Sequence, residues 1–442
     1  ALLKYLQVFD ALFEPDHPPA FRAWFHDSFE YSGNWSADFL THFQQRRGYD
    51  LRLHLPALQG EGDSDRVGRI KSDYRQTLAD LLLENFTVPW TEWCHEREML
   101  SRNQAHGSPG NLLDLYGAVD IPETEIFGKD DHPLGLKFSS SAAHVLGKPL
   151  VSAESCTWLG EHFNVTLAEA RHALDGLFLC GINHIFYHGT VYSPDAAPWP
   201  GWLFYASTQF NPNNPIWRDF LALNAYVARL QAAVQAGAPD NDLLIYWPVF
   251  DLWADPRGMN QNYTVHSNHW ITRGATGALS QQLWDRGYHF DFISDRQILR
   301  LASGEDGHIV APGGAYRTVI APPCRFLPVE TLEALVALAE QGGTVVFQSP
   351  LDPDVPGWGE LEARRQRMAA VMERAFGETA PPIESGTFPV GRGRIVVASE
   401  IEETLGQVGA RREAMIDEQE IRCVRRRLDD GAIYTIFNRS DQ

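Results

Sequence analysis

At 442 residues, with 44% hydrophobic and 21% charged residues, the chain is long enough for two or three globular domains. A formal charge of −20 excludes partners that demand a basic face, namely nucleic acid and anionic membrane. No run of 18 apolar residues is present, so no membrane span is expected; the five cysteines lack CxxC spacing, which argues against a disulfide framework or structural zinc.

From residue 1 to about 235 the chain alternates strand-like and helical segments. The strand-like runs are FRAWFHDSF, EMLSRNQAHG, LLDLYGAVDI, KPLVSAES and INHIFYHG, each followed by polar, acidic or Gly-rich residues. Helical patterns lie between them: SADFLTHFQQRRG, the long stretch from Arg69 to Glu96, SSSAAHVLG and TLAEARHALDGLFLCG. That order is the signature of parallel βα units. NPIWRDFLALNAYVARLQAAVQAG closes the section as an amphipathic helix with a C-terminal Gly.

A second α/β unit is expected over 236–384, with NDLLIYWPVF, HFDFISDR, RTVIAPP and GTVVFQS as buried strands. Its pattern suits a small doubly wound, flavodoxin-like domain, without the Gly-rich loop that a nucleotide would need. Residues 385–442 read as the start of a β-sandwich, with Arg425, Arg426 and Arg427 on a solvated strand edge. The chain begins at ALLKYLQVFD without Met or a signal sequence and stops within a strand pair, so a fragment of a longer protein is expected. A periplasmic location would suit the parent.

In parallel α/β barrels the chemistry lies at the C-terminal ends of the strands. By this reading the first strand ends in Asp27 and Glu30, the next in Gln104 and His106, and the third in Asp120 and Glu123. The fourth ends in Glu154 with Trp158 close behind, the fifth in His184, Tyr187 and His188. One acid at a strand end is ordinarily a helix cap or an ion-pair partner. Recurrence at one edge of successive strands is not what scattered surface charge gives. Two carboxylates from different strands, with aromatics between, fit glycoside hydrolysis, in which one donates a proton to the leaving oxygen and the other activates water or attacks carbon. Glu30, among Phe29, Tyr31 and Trp35, suits the acid through a raised pKa; Glu154, between Ser152 and Ser155, suits the ionised base. Asp120, Glu123, His106, Trp158 and His188 are candidate sugar contacts, each weighed against a plain packing or pairing role.

Four motifs, DSFEYSGNWSADFLTHFQQRRGYDL, NQAHGSPGNLLDLYGAVDIPETEIFG, GKPLVSAESCTWLGEHF and the stretch from Gly181 to Asp219, occur in order. Together they resemble the large bacterial α-L-rhamnosidases, over roughly residues 1–440. The resemblance implies a (β/α)8 TIM-type barrel, inverting hydrolysis of a rhamnose-containing oligosaccharide or glycoside, and a calcium ion whose ligands spacing does not reveal. It also implies Glu30 as general acid, Glu154 as general base and Asp27 as a supporting acid. Counting Glu30 as ending strand four places Glu154 at the end of strand seven, so only the C-terminal five βα units are present. Residues 1–20 supply none of the three missing strands. A β-galactosidase-like retaining hydrolase and a non-catalytic carbohydrate-binding protein remain as alternatives. Carboxyl separation divides the enzymes, at roughly 6.5–9.5 Å for inversion and roughly 5–5.5 Å for retention.

Overall fold

The computed structural model describes residues 2–10, 21–128, 132–303, 307–379, 381–418 and 420–440. Five parallel strands form the first sheet in sequence order: β1 (Ala23–His26), β2 (Leu100–Asn103), β3 (Ile121–Phe127), β4 (Ser152–Thr157) and β5 (His184–Tyr187). Helices Ser64–Leu82, Pro133–Leu146, Leu167–Leu179 and Trp217–Gln235 accompany them, giving a parallel half-barrel in a mixed α/β protein. Local signals set the boundaries. Thr166 and Glu169 form a reciprocal capping box that starts Leu167–Leu179, and Gly48, left-handed at φ 79°, ends Phe39–Arg47.

The third strand differs from expectation. Leu112–Gly117 is a short helix, capped by the Asn111 side chain accepting from the Leu113 N–H, and β3 begins only at Ile121. The strand was hidden because its alternate positions are charged. Ile121, Glu123, Glu125 and Phe127 share one face, whereas Ile126 on the other packs with Leu136 and Ala143 of the outer helix.

A second, six-stranded sheet holds Leu243–Tyr246, Phe290–Ile293, Thr318–Ala321, Thr344–Gln348 and Gly393–Ala398 in parallel, with Gly386–Val390 antiparallel at its edge. Alternation along Leu243–Tyr246 splits the core: Leu244 and Tyr246 join one buried cluster, Leu243 and Ile245 another. The expected boundary at 385 is therefore corrected. Residues 386–398 belong to this sheet, their tight hairpin having the alternation of an all-β start.

The hairpin Ile421–Leu428/Gly431–Asn438 pairs instead with Ala238–Pro239. Arg425 is buried rather than solvated: its guanidinium bonds Asp240 at 2.8 Å, Asp242 at 2.7 Å and Glu413. Three carboxylates facing one strand position give that charge its reason to be inside.

Candidate active site

The site grows from the C-terminal ends of the barrel strands. Beyond β1, the backbone N–H of Phe29 donates to the His106 carbonyl at 2.8 Å, fixing the position of the next residue, Glu30. The fit is close: a Cβ on Gly107, whose φ is +85°, would stand 2.4 Å from the Phe29 carbonyl oxygen. Only glycine takes both that backbone conformation and that approach. Asp27 and Glu30 are exposed at the mouth, and Ser28 Oγ donates weakly to Glu30 Oε1 at 3.4 Å. The expected aromatic surround is open: Tyr31 and Trp35 are themselves exposed.

Below the mouth, Glu123 and Glu125 project from β3, and Glu154 pairs with Glu125 across the β3–β4 register. Glu125 accepts from His106 Nε2 at 3.1 Å and from Thr157 Oγ1 at 3.2 Å. Glu154 Oε2 accepts from Gln104 Nε2 at 2.6 Å. Burial pushes both carboxyls up to about 7; the charge of Asp27 adds to each, that of Glu125 adds to Glu154, and the hydrogen bond from Glu154 acts the other way on Glu125. The serines do not hold Glu154 ionised, contrary to expectation. Ser152 Oγ donates to Glu123 Oε2 at 2.5 Å and Ser155 Oγ to the Phe186 carbonyl at 2.8 Å.

Glu123 lies deeper, fully buried and likewise raised to about 7 by desolvation despite Arg102 Nε 3.0 Å away. Arg102 forms the floor, its guanidinium between the rings of Phe25 (4.0 Å) and Phe186 (3.6 Å). Burial drives His106 down to about 4, although the charges of Asp27 and Glu30 act the other way. His188 Nδ1 lies 3.6 Å from Glu154 Oε1, and its ring meets Phe204 edge-on at 5.3 Å. Trp158, one residue past β4, packs half-buried against the apolar cluster behind that strand. Trp202 stands exposed on the loop after β5.

Asp120 is a correction. It precedes β3 at the opposite end of the barrel, accepting from Ser101 N at 2.8 Å and pairing with His95 Nε2 at 2.9 Å. Once the strand starts at Ile121, Glu125 stands five residue steps beyond Asp120, about 16 Å of extended chain. The mouth is therefore reached by Glu125, which sequence reasoning missed. Its signal was the Glu-Thr-Glu alternation of β3, two acids on one face.

A second omission is His266, which comes from the chain segment after Leu243–Tyr246. The imidazole is exposed, 4.4 Å from the Phe127 ring and 5.7 Å from that of His106. Its candidate ligand atom, one of Glu125 and one of His106 all lie within 4.8 Å of one another. No local pattern marks it.

A family profile described as α-L-rhamnosidase (glycoside hydrolase 106) matches residues 3–442. The chain belongs to that family. Among solved structures, a rhamnosidase from Novosphingobium sp. PP1Y superposes with a TM-score of 0.79 at 24% identity, covering 98% of this chain and 41% of that one. A β-galactosidase from Bacillus circulans sp. alkalophilus superposes with a TM-score of 0.56 at 12% identity, covering 91% and 70%. A curated relative from Formosa agariphila, called a putative β-glucuronidase, is 28% identical over 354 residues, which is 78% of this chain and 28% of that protein. The chain thus spans less than half the length of the Novosphingobium rhamnosidase and of the Formosa protein.

Calcium, which the resemblance implies, takes oxygen donors. His106, Glu125 and His266 together offer two imidazoles and one carboxylate, a poor set for a hard cation. The carboxylates fit better: Asp27 and Glu125 each push Glu154 upward, an excess of negative charge that a divalent ion would balance.

Proposed function

We propose that the complete protein removes terminal α-L-rhamnose from glycosides by acid/base hydrolysis with inversion. The observation that carries this reading is the convergence, in a chain of this family, of Glu30 beyond β1, Glu125 on β3 and Glu154 on β4 at one barrel mouth. Glu30 gives its proton to the glycosidic oxygen as the bond to the anomeric carbon breaks. Glu154 takes a proton from the water that forms the new bond on the opposite face. As a base Glu154 must be ionised; without a cation its partner Glu125 keeps the one proton the pair retains, and with a cation beside it Glu125 would release that proton. His106, neutral because of its burial, orients Glu125 by donating from Nε2. Asp27 supports the field around Glu154. Asp27 and Glu125 are the residues that would hold calcium, which when bound neutralises local negative charge and offers coordination to sugar hydroxyls.

The test is the anomer first released, read by proton NMR on the complete protein. Inversion of α-L-rhamnoside gives β-L-rhamnose. Release of the α-anomer returns the case to a retaining, β-galactosidase-like hydrolase. Rhamnoside binding without turnover in wild type, unchanged by Glu30→Gln with Glu154→Gln, leaves a carbohydrate-binding protein.

We also read the second sheet as flavodoxin-like, since its parallel strands run in the order 2-1-3-4-5. The hairpin at 421–438 is read as the start of a further β-domain.

A further inference from the structure

The segment linking the second sheet to the barrel mouth is held along its length. Arg75, on the barrel helix Ser64–Leu82, donates to the carbonyls of Trp253, Asp255, Arg257, Gly258 and Met259 at 2.6–3.0 Å. Lys71 adds the Pro256 and Gly258 carbonyls. Farther along, Gly107 N donates to the Tyr263 carbonyl at 2.6 Å and Trp270 Nε1 to that of Thr264 at 3.0 Å. The Tyr263 ring is buried against Trp247 and Trp270.

What this frame presents is one imidazole. His266 stands exposed beside the buried His106–Glu125 pair and feels the charge of Glu30 and Glu125. Edge contact with Phe127 sets its ring plane. Neither ring nitrogen is hydrogen-bonded to a described residue. A rigidly mounted, solvent-facing ring with open nitrogens, at the lip of a carboxylate pocket, is complementary to a hydroxyl-bearing ligand.

We infer that His266 is a substrate-binding residue: its imidazole, delivered across the barrel rim by the second unit, hydrogen-bonds a hydroxyl of the sugar in the pocket. The inference rests on the glycosidase reading of that pocket. It makes the second unit part of the binding site rather than an appendage.

The experiment uses the complete protein as wild type, His266→Ala and His266→Gln. Four quantities are measured: the Kd for L-rhamnose by calorimetry, kcat and KM on 4-nitrophenyl α-L-rhamnoside, and the melting temperature. His266→Ala should raise Kd and KM by about tenfold, the ratio for one lost hydrogen bond. His266→Gln should recover part of that loss, while kcat stays within about threefold and the melting temperature holds. Kd and KM unchanged in both variants, or a fall in kcat with binding intact, overturns the inference. Should wild type bind L-rhamnose without hydrolysing the substrate, the hydrolase reading fails alone and the Kd ratio still decides His266. Should it bind no L-rhamnose, both fall.

Discussion

Glu125 and Glu154 stand directly opposite each other in the β3–β4 ladder, and one carboxyl hydrogen-bonds the other. A buried and a half-buried acid in that relation hold one proton between them, so they titrate as a pair near neutrality.

The first prediction follows from the sign of that coupling. A base raised to about 7 works only once deprotonated, so activity should climb as pH passes through that region. Glu125→Gln removes a like charge, favours ionised Glu154, and should move the acid limb of kcat/KM down by about one pH unit. An unmoved limb would disconnect the pair from catalysis. Both carboxyls bind protons more tightly folded than unfolded, so their contribution to stability is full below about 4.5 and is lost as pH rises through 7. Glu125→Gln should therefore melt higher, relative to wild type, at pH 8 than at pH 4.

Calcium should act on the same limb in the same direction. A cation beside Asp27 and Glu125 favours the ionised forms of Glu125 and Glu154. Chelation is expected to move the midpoint upward and lower the rate at pH 6 more than at pH 8. Equal loss at both pH values would assign the ion a place away from this cluster.

Glu30→Gln should show its effect through the leaving group. Protonation matters most when the departing oxygen is basic, so an alkyl rhamnoside should lose about 10²–10⁴-fold in kcat. A nitrophenyl rhamnoside should lose far less. Equal losses on both would remove Glu30 from the acid role.

Gly107→Ala tests how Glu30 is positioned. The substitution strains a φ of +85° and drives a methyl into the Phe29 carbonyl, displacing the segment that carries Glu30. Misplacement near 1 Å can lower the rate by about 10²-fold. Activity should fall much further than the melting temperature. A variant with wild-type kcat would show that the Phe29–His106 bond does not set the acid.

The half-barrel was legible because βα alternation and polar strand ends are local properties; β1 and β5 fall where their apolar runs lie, and β4 begins directly after the apolar run 149–151. β3 was misread because Glu123 and Glu125 disguise a strand whose charged face turns inward, while LLDLY has helical as well as strand character. That displacement put Asp120 at the mouth and left Glu125 out. Arg425 reads as surface in the sequence because its three acidic partners lie 12 to 185 residues away along the chain. His266 is beyond reach for the same reason: its neighbours His106 and Phe127 lie just past β2 and at the end of β3, and nothing within its own segment encodes them.

Arg75 commits five donors to five main-chain carbonyls and none to a side chain of that segment. Such a clasp is blind to residue identity. Exposed side chains there, such as Arg257 and Asn262, can therefore be exchanged while the path they trace persists, whereas Ala254 and Met259 pack inward and Gly258 holds a φ of +62°. A laboratory seeking altered sugar preference has, at the tip beyond that clasp, a place where side chains can be exchanged on an unchanging mount.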